Sequence, residues 1–300
     1  MENNLLTREQ RLSRIRDYID RMPSLSTTVT KVLAVCNQPD TSPRDLNQVI
    51  SLDPVLTGQV LKLVNSAFYS LPNKITTLTR AIIMLGLNTV KNLALSTAIL
   101  STLKQQGAAR GLAMDLFWTH SISVGVIARA LAAAKGMPVM VREESFIAGL
   151  LHDLGKVVLS NCFPDRYEQA LESTRRRFDA LHRAESAILG LDHGRAGKMV
   201  ARKWQLSNAV TDTLACHHDP GKADQENREL VAVVALANVY ANIFDLGAAG
   251  DPYQDYDRLT GLLDLVGFQW ADLSFLLAEV EDEIEKARVF LDVSKTGLEP

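Results

Sequence analysis

The chain has 300 residues, of which 47% are hydrophobic, and its formal net charge is −3. This length and apolar content predict one large or two modest packed domains and exclude a disordered chain. The nearly balanced charge argues against a protein whose main task is to coat nucleic acid.

The cysteines are three, widely spaced and without a CxxC pair: Cys36, Cys162 and Cys216. This pattern excludes a disulfide scaffold and favours a reducing, cytoplasmic location. Cys216 precedes His217 and stays open as a thiolate ligand of a metal, although a free cysteine more often packs as a small buried apolar residue.

The N-terminal and apolar segments argue against secretion and membrane insertion. The chain begins Met1-Glu2-Asn3-Asn4-Leu5, with charge and amide where a signal peptide needs an apolar run. The longest uncharged apolar stretch, residues 231–244, is shorter than the roughly 18 residues that a spanning helix needs. We therefore expect no membrane partner.

Helix signals dominate the first part of the chain. Apolar residues recur at helical spacing, and short cap-and-proline signals mark helix starts. The apolar stretches are 29–36, 46–50 and 56–64, and the starts are Ser42-Pro43, Asp53-Pro54 and Asn88. A polar, glycine-containing segment at 105–111 follows, and we place a subdomain boundary there.

The second part predicts longer helices. The first opens at Phe117-Trp118 and ends at Gly136-Met137-Pro138. The others are predicted at 145–159, 184–204, 207–216 and 229–244, followed by a loop at 247–252, an acidic helical segment and a frayed tail at 295–300. No segment alternates apolar and polar residues long enough to predict a strand. We expect an all-α, multi-helix bundle with segments 1–106, 107–247 and 248–300.

Five of the six histidines fall on four separate predicted helices of the second part. They are His120, His152 (followed by Asp153), His193, His217 and His218. A single buried histidine is most often a satisfied core group, but four helices that each deliver an imidazole favour a metal site. The sixth, His182, lies in a charged helix outside this pattern.

Segment 148–156 places an imidazole, a carboxylate and a cation together. His152 and Lys156 are four residues apart and share a face of the predicted helix, while Asp153 lies three residues before Lys156. Lys156 has a simpler reading as the partner of Asp153 or as a solvated side chain. Gly149 and Gly155 are poor helix formers, so we expect a close approach of another backbone there.

The candidate ligands restrict the metal by their chemistry. Neutral imidazole with carboxylate suits iron, manganese, zinc, nickel or cobalt and suits calcium or magnesium poorly. The lack of assigned thiolate ligands disfavours a structural zinc site. Ligand type alone does not choose among the remaining metals.

The ordered set of motifs resembles the HD superfamily, and residues 15–245 resemble its HDOD branch, a regulatory relative of the HD and HD-GYP phosphohydrolases. In the first part the resemblance is carried by Met22-Pro23-Ser24-Leu25, Asp53-Pro54-Val55-Leu56, Val64-Asn65-Ser66-Ala67-Phe68-Tyr69 and Ala81-Ile82-Ile83-Met84-Leu85-Gly86. In the second part it is carried by Phe117-Trp118-Thr119-His120-Ser121, Gly149-Leu150-Leu151-His152-Asp153-Leu154-Gly155-Lys156, Asp192-His193-Gly194-Arg195-Ala196-Gly197, Trp204-Gln205-Leu206 and His217-His218-Asp219-Pro220. The resemblance implies an N-terminal helical subdomain and an HD-like metal-binding subdomain at 107–247.

The resemblance also implies two metal positions that share one carboxylate. The first would use His120, His152, Asp153 and a late acid that is replaced here by Asn238, and the second would use Asp153, His193, His217 and His218. Because an amide oxygen is neutral and ligates weakly, we expect the first position to be impaired. The expected cofactor is one or two divalent transition-metal ions per chain, iron first, then manganese, zinc or nickel.

Two functions follow from the resemblance. The first is an HDOD-type signal transduction protein with a signalling protein as partner and without robust catalysis. The alternative is a metal-dependent phosphohydrolase acting on a phosphate ester or nucleotide, with Asp153 and Lys156 as catalytic residues. The Gly-Tyr-Pro element of cyclic-dinucleotide phosphodiesterases is missing after His193, so their pocket is not expected. The run Arg175-Arg176-Arg177 is the only support for nucleic-acid binding, and a solvated helix face explains it equally well.

Overall fold

The computed structural model describes residues 6–36, 38, 40–104, 111–251, 256–274 and 276–293, which form helices and no strand. The predicted all-α fold class is therefore confirmed. The helices are α1 (Arg8–Arg21), α2 (Thr27–Cys36), α3 (Pro43–Ile50), α4 (Pro54–Val64), α5 (Leu78–Leu85), α6 (Leu87–Lys104), α7 (Met114–Ala134), α8 (Val139–Leu151), α9 (Leu154–Cys162), α10 (Pro164–Arg177), α11 (Leu181–Leu189), α12 (His193–Lys203), α13 (Asn208–Cys216), α14 (Arg228–Ile243), α15 (Tyr256–Val266), α16 (Trp270–Ser274), α17 (Leu276–Ala287) and α18 (Val289–Val293).

The chain forms two compact units, one of Met1–Met22 with Ala108–Val280 and one of Pro23–Gly107 with Glu281–Pro300. A compact unit need not fold independently, so the segments 1–106, 107–247 and 248–300 remain a prediction. Residues 105–110 of the proposed boundary and the predicted tail at 295–300 lie outside the described residues.

In the unit that begins at Pro23, the helix starts follow the sequence signals. Ser42 and Asp45 form a reciprocal capping box at the start of α3, and the Asp53 side chain accepts a hydrogen bond of 2.9 Å from the backbone N–H of Leu56 in α4. The predicted start at Asn88 is one residue late for α6, because Gly86 with φ +85° ends α5 and α6 begins directly after it.

The other unit is built around α7, which packs against α8 and α14. Glycines permit the tight crossing of α7 and α8, since a Cβ on Gly149 would lie only 2.8 Å from the Cα of Gly125. The close approach that the sequence predicted at Gly149 is confirmed. Most side chains of α7 are buried, including His120 at 1% exposure.

Two predicted helices are wrong as single helices. The stretch 145–159 divides into α8 and α9 at His152-Asp153, and the stretch 184–204 divides into α11 and α12 at residues 190–192. Gly190 adopts φ +85° and ends α11, while Asp192 caps α12 by accepting a hydrogen bond of 2.9 Å from the N–H of Arg195. Apolar periodicity runs through both breaks, which is why it did not reveal them.

Within the part of the chain that the structure describes, one helix, Met114–Ala134, is long and apolar enough to cross a membrane by length and composition. Its most apolar window is 72% buried within its unit, as in the core helix of a globular protein. A second candidate, α5 joined to α6, passes the same criterion only as a pair bent by 117°. These observations are weak support for a membrane protein.

Candidate metal centre

The predicted ligands converge from six helices of the unit built around α7. His120 lies on α7 and Asn238 on α14. The pair His152-Asp153 lies at the junction of α8 and α9, His193 is the first residue of α12, and His217 with His218 follows α13. Two donor triads form, each with its donor atoms within 4.8 Å of one another: His120 with His152 and Asp153, and His193 with His217 and His218.

The Asp153 carboxylate joins the two triads, because each of its oxygens faces one of them. Oδ1 lies 3.3 Å from Nε2 of His193 and 3.7 Å from Nε2 of His217. Oδ2 lies 3.2 Å from Nε2 of His152 and 3.9 Å from Nε2 of His120. Asp153 is 0% exposed, and neither oxygen accepts a well-aligned hydrogen bond.

In three imidazoles a hydrogen-bond acceptor beside Nδ1 determines which ring nitrogen carries the hydrogen and which one faces the centre with a lone pair. The Nδ1 of His152 lies 2.7 Å from the Gly149 carbonyl, and that of His217 lies 3.0 Å from the Thr213 carbonyl. The Nδ1 of His193 lies 2.6 Å from the Glu185 carboxylate. Because a carbonyl or carboxylate only accepts, each Nδ1 carries the hydrogen and each neutral ring turns an Nε2 lone pair inward.

These lone pairs face each other. The Nε2 atoms of His193 and His217 are 3.3 Å apart, and their lone pairs cannot form a hydrogen bond with each other. A cation bound to both nitrogens would relieve this repulsion. The Nδ1 of His218 faces the Arg258 guanidinium at 3.4 Å, so its Nε2 carries the hydrogen and lies 2.8 Å from Nε2 of His193 until a metal displaces that hydrogen. This donor set, with Oδ1 of Asp153 beside it, fits a divalent transition metal.

The pKa values of three imidazoles are lowered, so these rings resist protonation. Burial, followed by the charge of His152, lowers the pKa of His120 to about 3. Burial and neighbouring imidazoles hold the pKa of His217 and of the half-buried His218 well below the usual range. These rings are therefore neutral at physiological pH, which is the ligating form.

In two other groups, Asp153 and His193, the neighbouring charges outweigh burial and favour the charged form. Burial would raise the pKa of Asp153, but His152 and Lys156 outweigh it and hold that pKa well below its usual range. Burial would lower the pKa of His193, but Glu185 outweighs it and raises that pKa. The centre thus contains one firm anion, Asp153, and one imidazole that takes up a proton readily.

Lys156 lies inside the centre and not in solvent. Its side chain is 2% exposed, and its Nζ is 2.7 Å from Oδ2 of Asp153 and donates a hydrogen bond of 3.1 Å to the Ala249 carbonyl. The reading of Lys156 as a solvated side chain is therefore wrong, and its reading as the partner of Asp153 is confirmed.

Three residues of the centre were missed by the sequence analysis. The Glu185 carboxylate accepts a hydrogen bond from Nδ1 of His193. The one sequence signal for this contact is that Glu185 lies eight residues before His193, on the other side of the turn at Gly190. His182, which the sequence pattern left outside, stacks on His218 with ring centroids 4.0 Å apart. Arg258 donates a hydrogen bond of 2.6 Å to the His217 carbonyl, and nothing in the sequence pattern indicated it.

Cys216 does not join the centre. Among the described residues it belongs to neither donor triad, and burial raises the pKa of its thiol, which disfavours a thiolate. The proposal that Cys216 is a metal ligand therefore loses its support.

The family of the chain follows from comparison with known proteins. Residues 22–220, more than half of the chain, match the model of the HDOD domain. The chain belongs to the HDOD family.

Solved HDOD-like structures share the fold. An HDOD domain protein of unknown function from Geobacter sulfurreducens has 26% identity and a TM-score of 0.73, covering 95% of this chain and 98% of that one. A candidate signal transduction protein from Marinobacter aquaeolei VT8 has 20% identity and a TM-score of 0.72, covering 97% of this HDOD chain and 67% of that one. The second likeness, at this identity, concerns the fold alone.

A curated relative extends beyond this HDOD chain. An uncharacterized protein from Treponema pallidum (strain Nichols) is 28% identical over 244 residues, which are 81% of this chain and 46% of the relative. The chain thus spans about half the length of that protein.

Proposed function

We propose that this HDOD chain is a signal transduction protein whose histidine and aspartate centre holds a divalent transition metal without robust catalysis. One observation gives the main support for a metal site: the inward Nε2 lone pairs of His193 and His217 face each other at 3.3 Å beside the buried Asp153 carboxylate. These two lone pairs cannot form a hydrogen bond with each other, but both can bind one cation.

The proposed ligands are His193, His217, His218 and Oδ1 of Asp153. Three imidazoles and one carboxylate oxygen suit iron first in our proposal, then manganese, zinc or nickel. In this arrangement Glu185 and the Thr213 carbonyl orient the ligating rings.

Burial and charge favour a regulatory role over catalysis. His152, Asp153, His193 and His217 are each 0% exposed, which leaves little access for a phosphate ester. The Lys156 ammonium is already bound to Asp153 and to a backbone carbonyl, so it is not free to contact a substrate phosphate. The neutral Asn238 stands where the HD pattern has an acid.

We further propose a signalling protein as the partner and the cytoplasm as the location. The name of the Marinobacter aquaeolei protein supports the first, and the three free cysteines support the second. A phosphate-containing small molecule is the proposed signal, since Arg258 and His182 stand beside the half-buried His218.

A metal-dependent phosphohydrolase is the second candidate. When bound, a divalent metal would polarise a phosphoryl oxygen and make water a better nucleophile. Asp153 would then hold the metal and Lys156 would offset negative charge on the phosphate. The same Arg258 and His182 favour this candidate, because a guanidinium and an imidazole suit an approaching phosphate.

Metal analysis of protein purified without added metal tests the first claim. We expect about one transition-metal ion per chain, with loss in His217→Ala and retention in the neighbouring control Cys216→Ser. Less than a tenth of an equivalent, with no uptake on titration with manganese or iron, would remove the metal site.

Turnover separates the two candidates. The metal-loaded protein is assayed against phosphomonoesters, nucleotides and cyclic dinucleotides with manganese or iron. Rates equal to those of His217→Ala support the regulatory role. Metal-dependent turnover that disappears in His217→Ala would replace it with the phosphohydrolase.

A further inference from the structure

The two oxygens of Asp153 meet different partners, and this asymmetry bears on how many metal ions the centre holds. Oδ1 faces only imidazoles among the described groups, those of His193 and His217. Oδ2 faces His152 and His120, and it also faces the Lys156 ammonium at 2.7 Å. Oδ2 is therefore in direct contact with a cation, whereas the guanidinium of Arg258, on the side of His217 and His218, faces the His217 carbonyl and Nδ1 of His218.

The Lys156 ammonium is fixed in place. Its side chain is 2% exposed, and besides the ion pair with Asp153 its Nζ donates a hydrogen bond of 3.1 Å to the Ala249 carbonyl. A divalent ion at Oδ2 would lie beside this ammonium in a water-poor interior, where like charges repel strongly. For that ion to bind, Lys156 would have to leave the Asp153 carboxylate, with which it pairs at 2.7 Å.

A metal at Oδ2 would next need His120 as a ligand, but this imidazole already takes part in a chain of hydrogen bonds. Nε2 of His120 lies 3.0 Å from Oδ1 of Asn238, and the Asn242 amide donates to the same oxygen at 3.2 Å. The oxygen only accepts, so Nε2 of His120 carries a hydrogen, and a metal at this position would have to displace it together with the hydrogen bond to Asn238. With the Asn238 amide in the opposite orientation, its NH₂ would donate to that Nε2 and occupy the lone pair instead.

What remains on the Oδ2 side is insufficient to hold an ion. His152 turns Nε2 towards Oδ2 without a hydrogen bond, but it is the one imidazole of that side whose Nε2 is open. One imidazole beside a carboxylate oxygen that is paired with an ammonium falls short of the three protein ligands of a typical site.

We infer that Lys156 replaces a second metal ion in this chain. Its ammonium neutralises Oδ2 of Asp153, the pair His120–Asn238 closes the remaining ligand position, and a single metal binds at Oδ1 with His193, His217 and His218. This inference rests on the proposed metal centre and adds to it the number of ions and the side they occupy.

Titration calorimetry with Mn²⁺ on the metal-depleted protein tests which oxygen of Asp153 the ion binds. We expect one ion per chain, a Kd within about threefold of wild type in His120→Ala, and a Kd raised at least about tenfold in His217→Ala. Binding that survives in His217→Ala and is lost in His120→Ala would overturn the inference. Binding of no ion would remove the proposed metal centre itself, and binding of two ions would leave that centre standing and overturn only the replacement by Lys156.

Electron paramagnetic resonance of the Mn²⁺-loaded protein tests the replacement. Wild type is expected to show isolated Mn²⁺, as is Asn238→Asp alone, because the ammonium is still present. The double variant Lys156→Met/Asn238→Asp removes the cation and restores an acid, and it should bind a second ion and show exchange-coupled Mn²⁺. A folded double variant that binds only one ion overturns the inference. If the double variant does not fold, the single variant Asn238→Asp decides, and exchange-coupled Mn²⁺ in it overturns the inference.

Discussion

The Glu185 carboxylate accepts two hydrogen bonds from His193, one of 2.8 Å from the backbone N–H and one of 2.6 Å from Nδ1. Both residues are 0% exposed. Glu185 thereby fixes the start of α12 and the orientation of the ring at once. A carboxylate behind an imidazole also makes the opposite nitrogen more basic, which strengthens it as a ligand.

Replacing Glu185 by Gln should weaken metal binding about 10- to 100-fold. The amide oxygen can still accept from Nδ1, but it lacks the negative charge that raises the pKa of His193. Titration calorimetry with Mn²⁺ measures the change. The control is Glu172→Gln, since Glu172 pairs with Arg176 on the surface of α10, and its Kd should equal that of wild type. An unchanged Kd in Glu185→Gln would show that Glu185 does not act on the ligand.

The convergence of the histidines could be predicted because each stands in a recognisable motif. His120, His152-Asp153, His193 and His217-His218 all reach one centre, as the ordered pattern implied. Residues without a motif could not be predicted in this way. Arg258 lies after the matched segment, and its role depends on how α15 packs against α14, which local sequence does not encode.

The break between α8 and α9 was missed for a physical reason. In one continuous helix His152 and Asp153 would point in directions about 100° apart. The turn at Asp153, with φ −95° and ψ 7°, instead lets both side chains reach the same centre. Apolar periodicity reports the buried face on either side of such a turn and not the turn itself.

Gly155→Ala should destabilise the protein by about 1–3 kcal/mol or more. A Cβ at this position would overlap the His193 carbonyl and lie 2.7 Å from the Gly197 N, and backbone atoms of α12 cannot move aside as a flexible side chain can. Urea denaturation measures the loss. The control is Gly261→Ala on α15, where a Cβ meets nothing within 4 Å, and where alanine should stabilise by up to about 1 kcal/mol. Equal stability of Gly155→Ala and wild type would contradict the close contact of α9 and α12.

Metal-depleted protein should lose stability as the pH falls below 6.5. The pKa of His120 is about 3 in the folded protein against an ordinary value of 6.5, so only the unfolded chain takes up this proton between those values. The stabilisation is complete above pH 6.5 and is lost towards pH 3, with about 2 kcal/mol gone at pH 5 from this residue. Urea denaturation at pH 7.5, 6 and 5 measures it.

The matched variant for this pH dependence is His120→Gln. Glutamine does not titrate, and its amide can donate to Asn238 as Nε2 of His120 does. Its stability should fall less steeply with acidification than that of wild type. The opposing contribution of His193, whose pKa is raised, is common to both proteins and cancels in the comparison. Parallel pH profiles would mean that His120 is not held neutral in the fold.

Metal binding should raise the melting temperature of the HDOD chain. Asp153 lies at the start of α9, His193 at the start of α12 and His217 at the end of α13, so the ligand set exists only when these helices are packed. An ion that binds only the folded state at 100 times its Kd stabilises by about 2.7 kcal/mol. For a chain of 300 residues that corresponds to roughly 4 °C, reversed by a chelator. Differential scanning calorimetry should show this shift in wild type and Cys216→Ser and its absence in His217→Ala. An equal shift in His217→Ala would place the stabilising ion elsewhere on the protein.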